Sequence, residues 1–155
     1  MLARPEPERL AAAESLPGAW LVPVGYGGER TFSVPETDRI QLPERQAFRS
    51  AAGFYATWAH EAIHSTGHAS RLNRDLSGRC GSSAYAREEL VAELGSVLLG
   101  DRLEIGSALE NHAAYLGHWI ELLRQSPQVL YQVLGEARQA VELVCAEQAQ
   151  ENDLV

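Results

Sequence analysis

At Pro43 the hydrophobic pattern changes period, and that change sets the fold class. Upstream, residues 19–42 read as short strands. AWLVPV is apolar and β-prone, GYGGER is a turn, TFSV is a second strand, PETD is another turn, and RIQL alternates apolar with polar. Pro23, inside the first run, has no N–H to give to a ladder and so suits an edge strand. A small antiparallel or mixed sheet of about three strands is expected.

Downstream the spacing is helical. Pro43 fits a first helical position, Phe48, Tyr55, Ala59 and Ile63 recur on one face, and Gly67 is a natural stop. A loop follows to Ser82. Residues 83–103 form a second helix, with Leu90, Leu94, Val97 and Leu98 on one face. A capping box at Ser107–Glu110 opens a third helix through about Arg124. Ser126 and Pro127 make an N-cap and first position for a fourth, ending near Ala149. Ahead of the sheet, ERLAAAES is a short helix that LPG stops. The expected architecture is α+β, with the sheet followed by a body of about four helices. Residues 1–15 are a tail with a short helix, 16–145 the folded domain, and 146–155 a flexible acidic tail.

The 155 residues favour a single domain with one core. Hydrophobic residues are 45% and charged residues 22%, as in soluble globular proteins. No apolar run approaches the ~20 residues that span a bilayer. The charged first residues lack the apolar stretch of a secretory signal, so a cytoplasmic location is expected. Cys80 and Cys145 form no CxxC pair and read as free thiols. A net charge of -8 repels phosphate backbones and argues against a nucleic-acid-binding surface. Arg71, Arg74 and Arg79 cluster in the loop after the first long helix and read as solvated.

HEAIH, at residues 60–64 of that helix, carries the chemistry. Residues i and i+4 share a face, so His60 and His64 can chelate one ion. Glu61 is turned about 100° from His60 and can reach a water on the metal without binding the metal itself. Two neutral nitrogen ligands and a nearby carboxylate base are what metal-assisted hydrolysis requires. Imidazole suits zinc, with manganese as the alternative. A catalytic zinc site usually has a third protein ligand. His68 directly follows Gly67 and is poorly placed to turn back. A third ligand three residues after the glycine would fall on Ser70, which cannot serve. The second helix offers Glu88, Glu89 and Glu93. Glu89 and Glu93 lie one turn apart, so one carboxylate can bind the metal while the other holds a histidine N–H. Spacing leaves Glu88 and Glu89 both open as the ligand.

A glutamate-bearing second helix resembles the gluzincins, of which thermolysin is the best-known member. That resemblance implies Glu89 as ligand and Glu93 as the group orienting His60. Three segments, HEAIHSTGHASRLNRDLSG, SAYAREELVAELGS and ENHAAYLGHWIELL, together resemble the zincin-like metallopeptidase domain of ArdC-type antirestriction proteins and plasmid TraC-type primases. The similarity runs from about residue 16 to 144. Departures at Ala62, Ser65 and Ala69 involve no proposed ligand. Full-length relatives carry an N-terminal domain that binds single-stranded DNA, and this chain begins almost at the peptidase domain. Contact with nucleic acid is therefore expected only through a domain not present here.

On the third helix, His112 and Tyr115 share a face and are candidates to donate a hydrogen bond to a developing oxyanion. Trp119, Ile120 and Leu123 read as core. The expected function is a zinc metallopeptidase acting on a protein or peptide. The rival is a non-catalytic, metal-stabilised module that binds a protein or DNA partner, its acidic surface meeting the basic cleft of a DNA-acting enzyme.

Overall fold

The structure is a computed structural model that describes residues 6–103 and 113–153. Its elements in chain order are α1 (Glu6–Ala19), β1 (Val24–Tyr26), β2 (Phe32–Val34), β3 (Arg39–Leu42), α2 (Ala51–Thr66), α3 (Ser83–Leu103), α4 (Ala113–Gln125) and α5 (Val129–Asp153). Among the described residues one helix precedes the sheet and four follow it, so the α+β, sheet-then-helices architecture is as expected.

The sheet is mixed, in the order β1-β3-β2. β1 runs parallel to β3, pairing Val24 with Ile40, and β2 runs antiparallel, pairing Ser33 with Ile40. The first strand is an edge strand, as Pro23 requires, but it starts after that proline. Ile40 and Leu42 on β3 are fully buried against the helices. The β2–β3 turn needs a left-handed residue and uses Asp38, at φ 50°. β2 is the other edge and keeps one side free of strand partners among the described residues.

Three boundaries differ from expectation. α1 runs through Leu16-Pro17-Gly18 to Ala19. Ala13, Leu16 and Trp20 all bury in the core, and the Trp20 amide donates to the Leu16 carbonyl (2.8 Å). That packing outweighs the local breaker signal. α2 begins at Ala51, after a separate 3₁₀ turn at Arg45–Ala47. Ser50, in extended backbone, accepts a hydrogen bond from the Gly53 amide (3.0 Å) and caps the helix. α5 starts at Val129, after a turn in which Ser126 and Pro127 supply carbonyls to Val129 and Leu130. It continues to Asp153, through most of the stretch expected to be a tail. The capping box at residues 107–110 lies outside the described residues.

α3 was expected to bury one face, but it is central and buries two. Val91 and Leu99 are fully enclosed, and Glu88, Glu89 and Glu93 are also buried. Val133, Ala137, Ala140, Val141 and Val144 of α5 form an i, i+3/i+4 stripe in the same core. Trp119 is buried, Leu123 is partly buried, and Ile120 is 44% exposed. No helix among the described residues is long and apolar enough to cross a membrane.

α2 and α3 approach closely because Gly95 lacks a side chain. A Cβ there would sit 2.8 Å from Ile63 Cγ2 and 2.9 Å from Cγ1. Ile63 is fully buried and β-branched, so it has little room to yield. Gly95→Ala gains about 1 kcal/mol of helix propensity but incurs an overpacking cost of about 1–3 kcal/mol. We expect a thermal midpoint a few degrees lower; a higher midpoint would show that Ile63 can move aside.

Candidate metal centre

α2 and α3 face each other across that contact, which sets imidazoles opposite carboxylates. The His60 and His64 rings lie 4.8 Å apart, edge to face. His60 Nε2 is 3.1 Å from Glu89 Oε2, and His64 Nε2 is 3.0 Å from Glu89 Oε1. One donor atom from each of His60, His64 and Glu89 lies within 4.8 Å of the others. Ligand atoms around a tetrahedral zinc at about 2.0–2.2 Å are about 3.3–3.5 Å apart. The three groups therefore fit a divalent ion with small side-chain shifts.

The opposite nitrogens are also met. His64 Nδ1–H donates to Glu88 Oε2 (2.8 Å). His60 Nδ1 lies 3.5 Å from Glu93 Oε2, and Glu93 is 2% exposed. Each imidazole thus has one nitrogen toward Glu89 and the other toward a carboxylate that fixes its ring. Glu88 is held in turn by Arg74, whose Nε donates to Glu88 Oε1 (2.8 Å). His68 stands apart, bonded to Ser70 Oγ (2.8 Å).

The loop arginines correct the expectation of solvated charges. Arg71 and Arg74 have side chains only 8% and 5% exposed. Arg71 ion-pairs with Asp38 and donates to the Ser65 carbonyl (2.9 Å), tying the β2–β3 turn to the end of α2. Arg79 is exposed. The roles of Glu88 and Arg74 escape sequence reasoning. Glu88 shares a turn with Glu89, and nothing in the SRLNRD stretch marks one arginine as buried.

Glu61 is buried at the floor of a cleft of about 510 Å³, beside His60, His64 and Glu89. No hydrogen bond from a described residue holds its carboxylate. Phe32 and Ser33 of edge strand β2 form one wall, and Tyr85, one turn before Glu89 on α3, forms part of another. The sequence marks TFSV as a strand but marks neither it nor Tyr85 as lining a site. His112 lies outside the described residues, as does the side chain of Tyr115.

Without metal, protons hold the cluster together. Burial pushes His64 down, but hydrogen bonds to Glu88 and Glu89 outweigh it and set its pKa well above the usual 6.5. His60 is also raised, burial again being overcome by Glu89 and Glu93. Burial raises Glu89, while the two histidines lower it further and win. The raised histidines stabilise the metal-free fold below pH 6.5 and cease to do so as pH climbs through their folded values. The lowered Glu89 contributes above its usual pKa of 4.5, and that contribution is lost as pH falls through its folded value. The contribution of these three groups to metal-free stability is therefore largest in weak acid. A divalent ion must displace the imidazole protons. The rise in thermal midpoint on adding zinc is expected to be larger at pH 8 than at pH 5.5; equal rises would rule out this competition.

The two histidines are those of the HEAIH motif on α2, and Glu89 of the next helix lies close to both. The chain belongs to the zincin-like metallopeptidase family whose model matches residues 11–135. It is 47% identical over 119 residues to a DNA primase TraC of Escherichia coli, covering 77% of this chain and 8% of that protein. It is 37% identical over 153 residues to the uncharacterized protein y4eC of Sinorhizobium fredii, covering 97% of this chain and 50% of that protein. Among solved structures it is similar to the Mn(II)-bound antirestriction protein ArdC of plasmid R388, with a TM-score of 0.82 and 33% identity. That match covers 96% of this chain and 55% of the other. The metal-free form of ArdC superposes with a TM-score of 0.80 and 34% identity. The chain spans half or less of the curated relatives' length.

Proposed function

We propose that this chain is the catalytic domain of a zinc-dependent metallopeptidase of gluzincin type, with manganese as the alternative ion. The observation that carries the reading is Glu61, on a cleft floor beside the converging His60, His64 and Glu89 groups. His60, His64 and Glu89 would hold the ion, with Glu93 orienting His60. A divalent ion there supplies Lewis acidity and lowers the pKa of a bound water. The Glu61 carboxylate accepts a proton from the attacking water and returns it to the amide nitrogen that leaves. Family membership and the manganese-bound relative support a divalent-metal site.

The cleft wall suggests the form of substrate. β2 has an edge without a strand partner among the described residues, and an extended peptide can add there through backbone hydrogen bonds. The acidic charge favours a polypeptide over nucleic acid as the partner of this domain. Any antirestriction or primase-linked role belongs to the names of the relatives and is proposed here only as the setting in which the peptidase acts.

Tyr85 lines the cleft beside Glu89 and is a candidate hydroxyl donor to a developing oxyanion, alongside the proposed His112 and Tyr115. Tyr85→Phe is expected to lower kcat with little change in KM, by roughly 10²–10³-fold. A rise in KM at unchanged kcat would instead assign it to substrate binding.

The function is tested with purified protein, its metal content measured by mass spectrometry and an unfolded polypeptide offered as substrate. About one zinc per chain and chelator-sensitive cleavage is the expected result. Stoichiometric metal without cleavage across a diverse peptide library would sink the peptidase reading and favour the non-catalytic binding module.

A further inference from the structure

Two adjacent glutamates face the same histidine, and only one of them joins the converging donor group. His64 lies 2.8 Å from Glu88 through Nδ1 and 3.0 Å from Glu89 through Nε2. What separates the two carboxylates is Arg74. It comes from the loop after α2, yet its side chain is 5% exposed. Nε donates to Glu88 Oε1 (2.8 Å) and Nη2 to Glu88 Oε2 (3.2 Å), a two-point grip. The rest of the guanidinium is anchored on the turn of α2 that carries His64. Nη2 donates to the Ile63 carbonyl (2.7 Å) and Nη1 to Thr66 Oγ1 (2.9 Å). Gly67 makes room for it, since a Cβ there would sit 2.9 Å from Nη2 and 3.0 Å from Cζ.

A carboxylate held by two guanidinium N–H groups and an imidazole N–H has its charge met and its oxygens engaged. Among the described residues, Glu89 meets the two imidazole Nε2 atoms that would themselves turn to an ion. We propose that Arg74 is the positioning residue that selects the metal ligand: it pins Glu88 as the acceptor for His64 Nδ1–H and leaves Glu89 to join the ion. Arg74 reaches the metal through Glu88 and touches neither ion nor substrate. The inference rests on the metal-centre reading above.

The test uses the full chain and zinc alone as probe. Zinc dissociation constants are measured by competition with a chromophoric chelator for wild type, Arg74→Gln, Glu89→Gln and the double variant. Circular dichroism of each metal-free protein checks folding. In the wild type, Glu89→Gln is expected to weaken zinc by about 10²–10³-fold. In the Arg74→Gln background the freed Glu88 takes its place, and the loss is expected to be at least about tenfold smaller, the signature of coupled sites. The same loss in both backgrounds would overturn the proposal and leave Arg74 as a brace for the loop, a role that lowers stability without changing which carboxylate binds. If Arg74→Gln does not fold, Arg74→Lys, which keeps the charge and loses the two-point grip, carries the same cycle. A wild type that binds no zinc would overturn the metal reading and this inference together. Zinc binding with an unchanged Glu89 effect overturns the inference alone.

Discussion

Glu61→Gln is expected to reduce peptide hydrolysis by about 10²–10⁴-fold, the range a positioned general base contributes, while zinc content stays near that of the wild type. The asymmetry follows from position. His60 and His64 share a face and converge with Glu89, whereas Glu61 lies outside that donor group on the floor of the same cleft. Glutamine keeps the shape and loses the basic oxygen, so water delivery survives and proton transfer does not. Rates of cleavage, with metal content measured on the same samples, decide the matter. Unchanged cleavage would remove Glu61 from the mechanism; lost zinc in this variant would make it a ligand.

The fold class, the HEAIH helix and its partner helix were legible because each rests on a local rule. The period change at Pro43, the alternation in RIQL and the i, i+4 histidines all report which face of an element is buried. The misread positions are those where a distant contact overrules a local signal. Pro17 and Gly18 look like a stop, yet Leu16 and Trp20 bury on either side of them and hold the helix together. Pro43 looks like a first helical position, yet Ser50 offers a better cap seven residues on. The loop arginines look solvated because burial of a guanidinium depends on partners that sequence separates, Asp38 for Arg71 and Glu88 for Arg74. The choice between Glu88 and Glu89 was undecidable from spacing for the same reason. Consecutive residues on a helix are about 100° apart, and both reach His64. The cation that distinguishes them lies fourteen residues upstream.

Replacing each glutamate by alanine should therefore give opposite signatures. Glu89→Ala is expected to remove a ligand. Dividing about 10–16 kcal/mol of zinc binding over four ligands gives about 2.5–4 kcal/mol for one, a loss of roughly 10²–10³-fold in affinity. Its cost to the metal-free fold should be modest, because each histidine keeps a carboxylate at its other nitrogen. Glu88→Ala removes an orienting group, which typically costs 10–100-fold in metal affinity. It also strands a guanidinium that is 5% exposed, and breaking a buried ion pair from one side costs about 3–5 kcal/mol. Zinc affinity should thus fall further in Glu89→Ala, and the metal-free thermal midpoint further in Glu88→Ala. Measuring both quantities on both variants separates the roles even if each loses activity. The reverse pattern would make Glu88 the ligand and would mean that Arg74 releases it when metal binds.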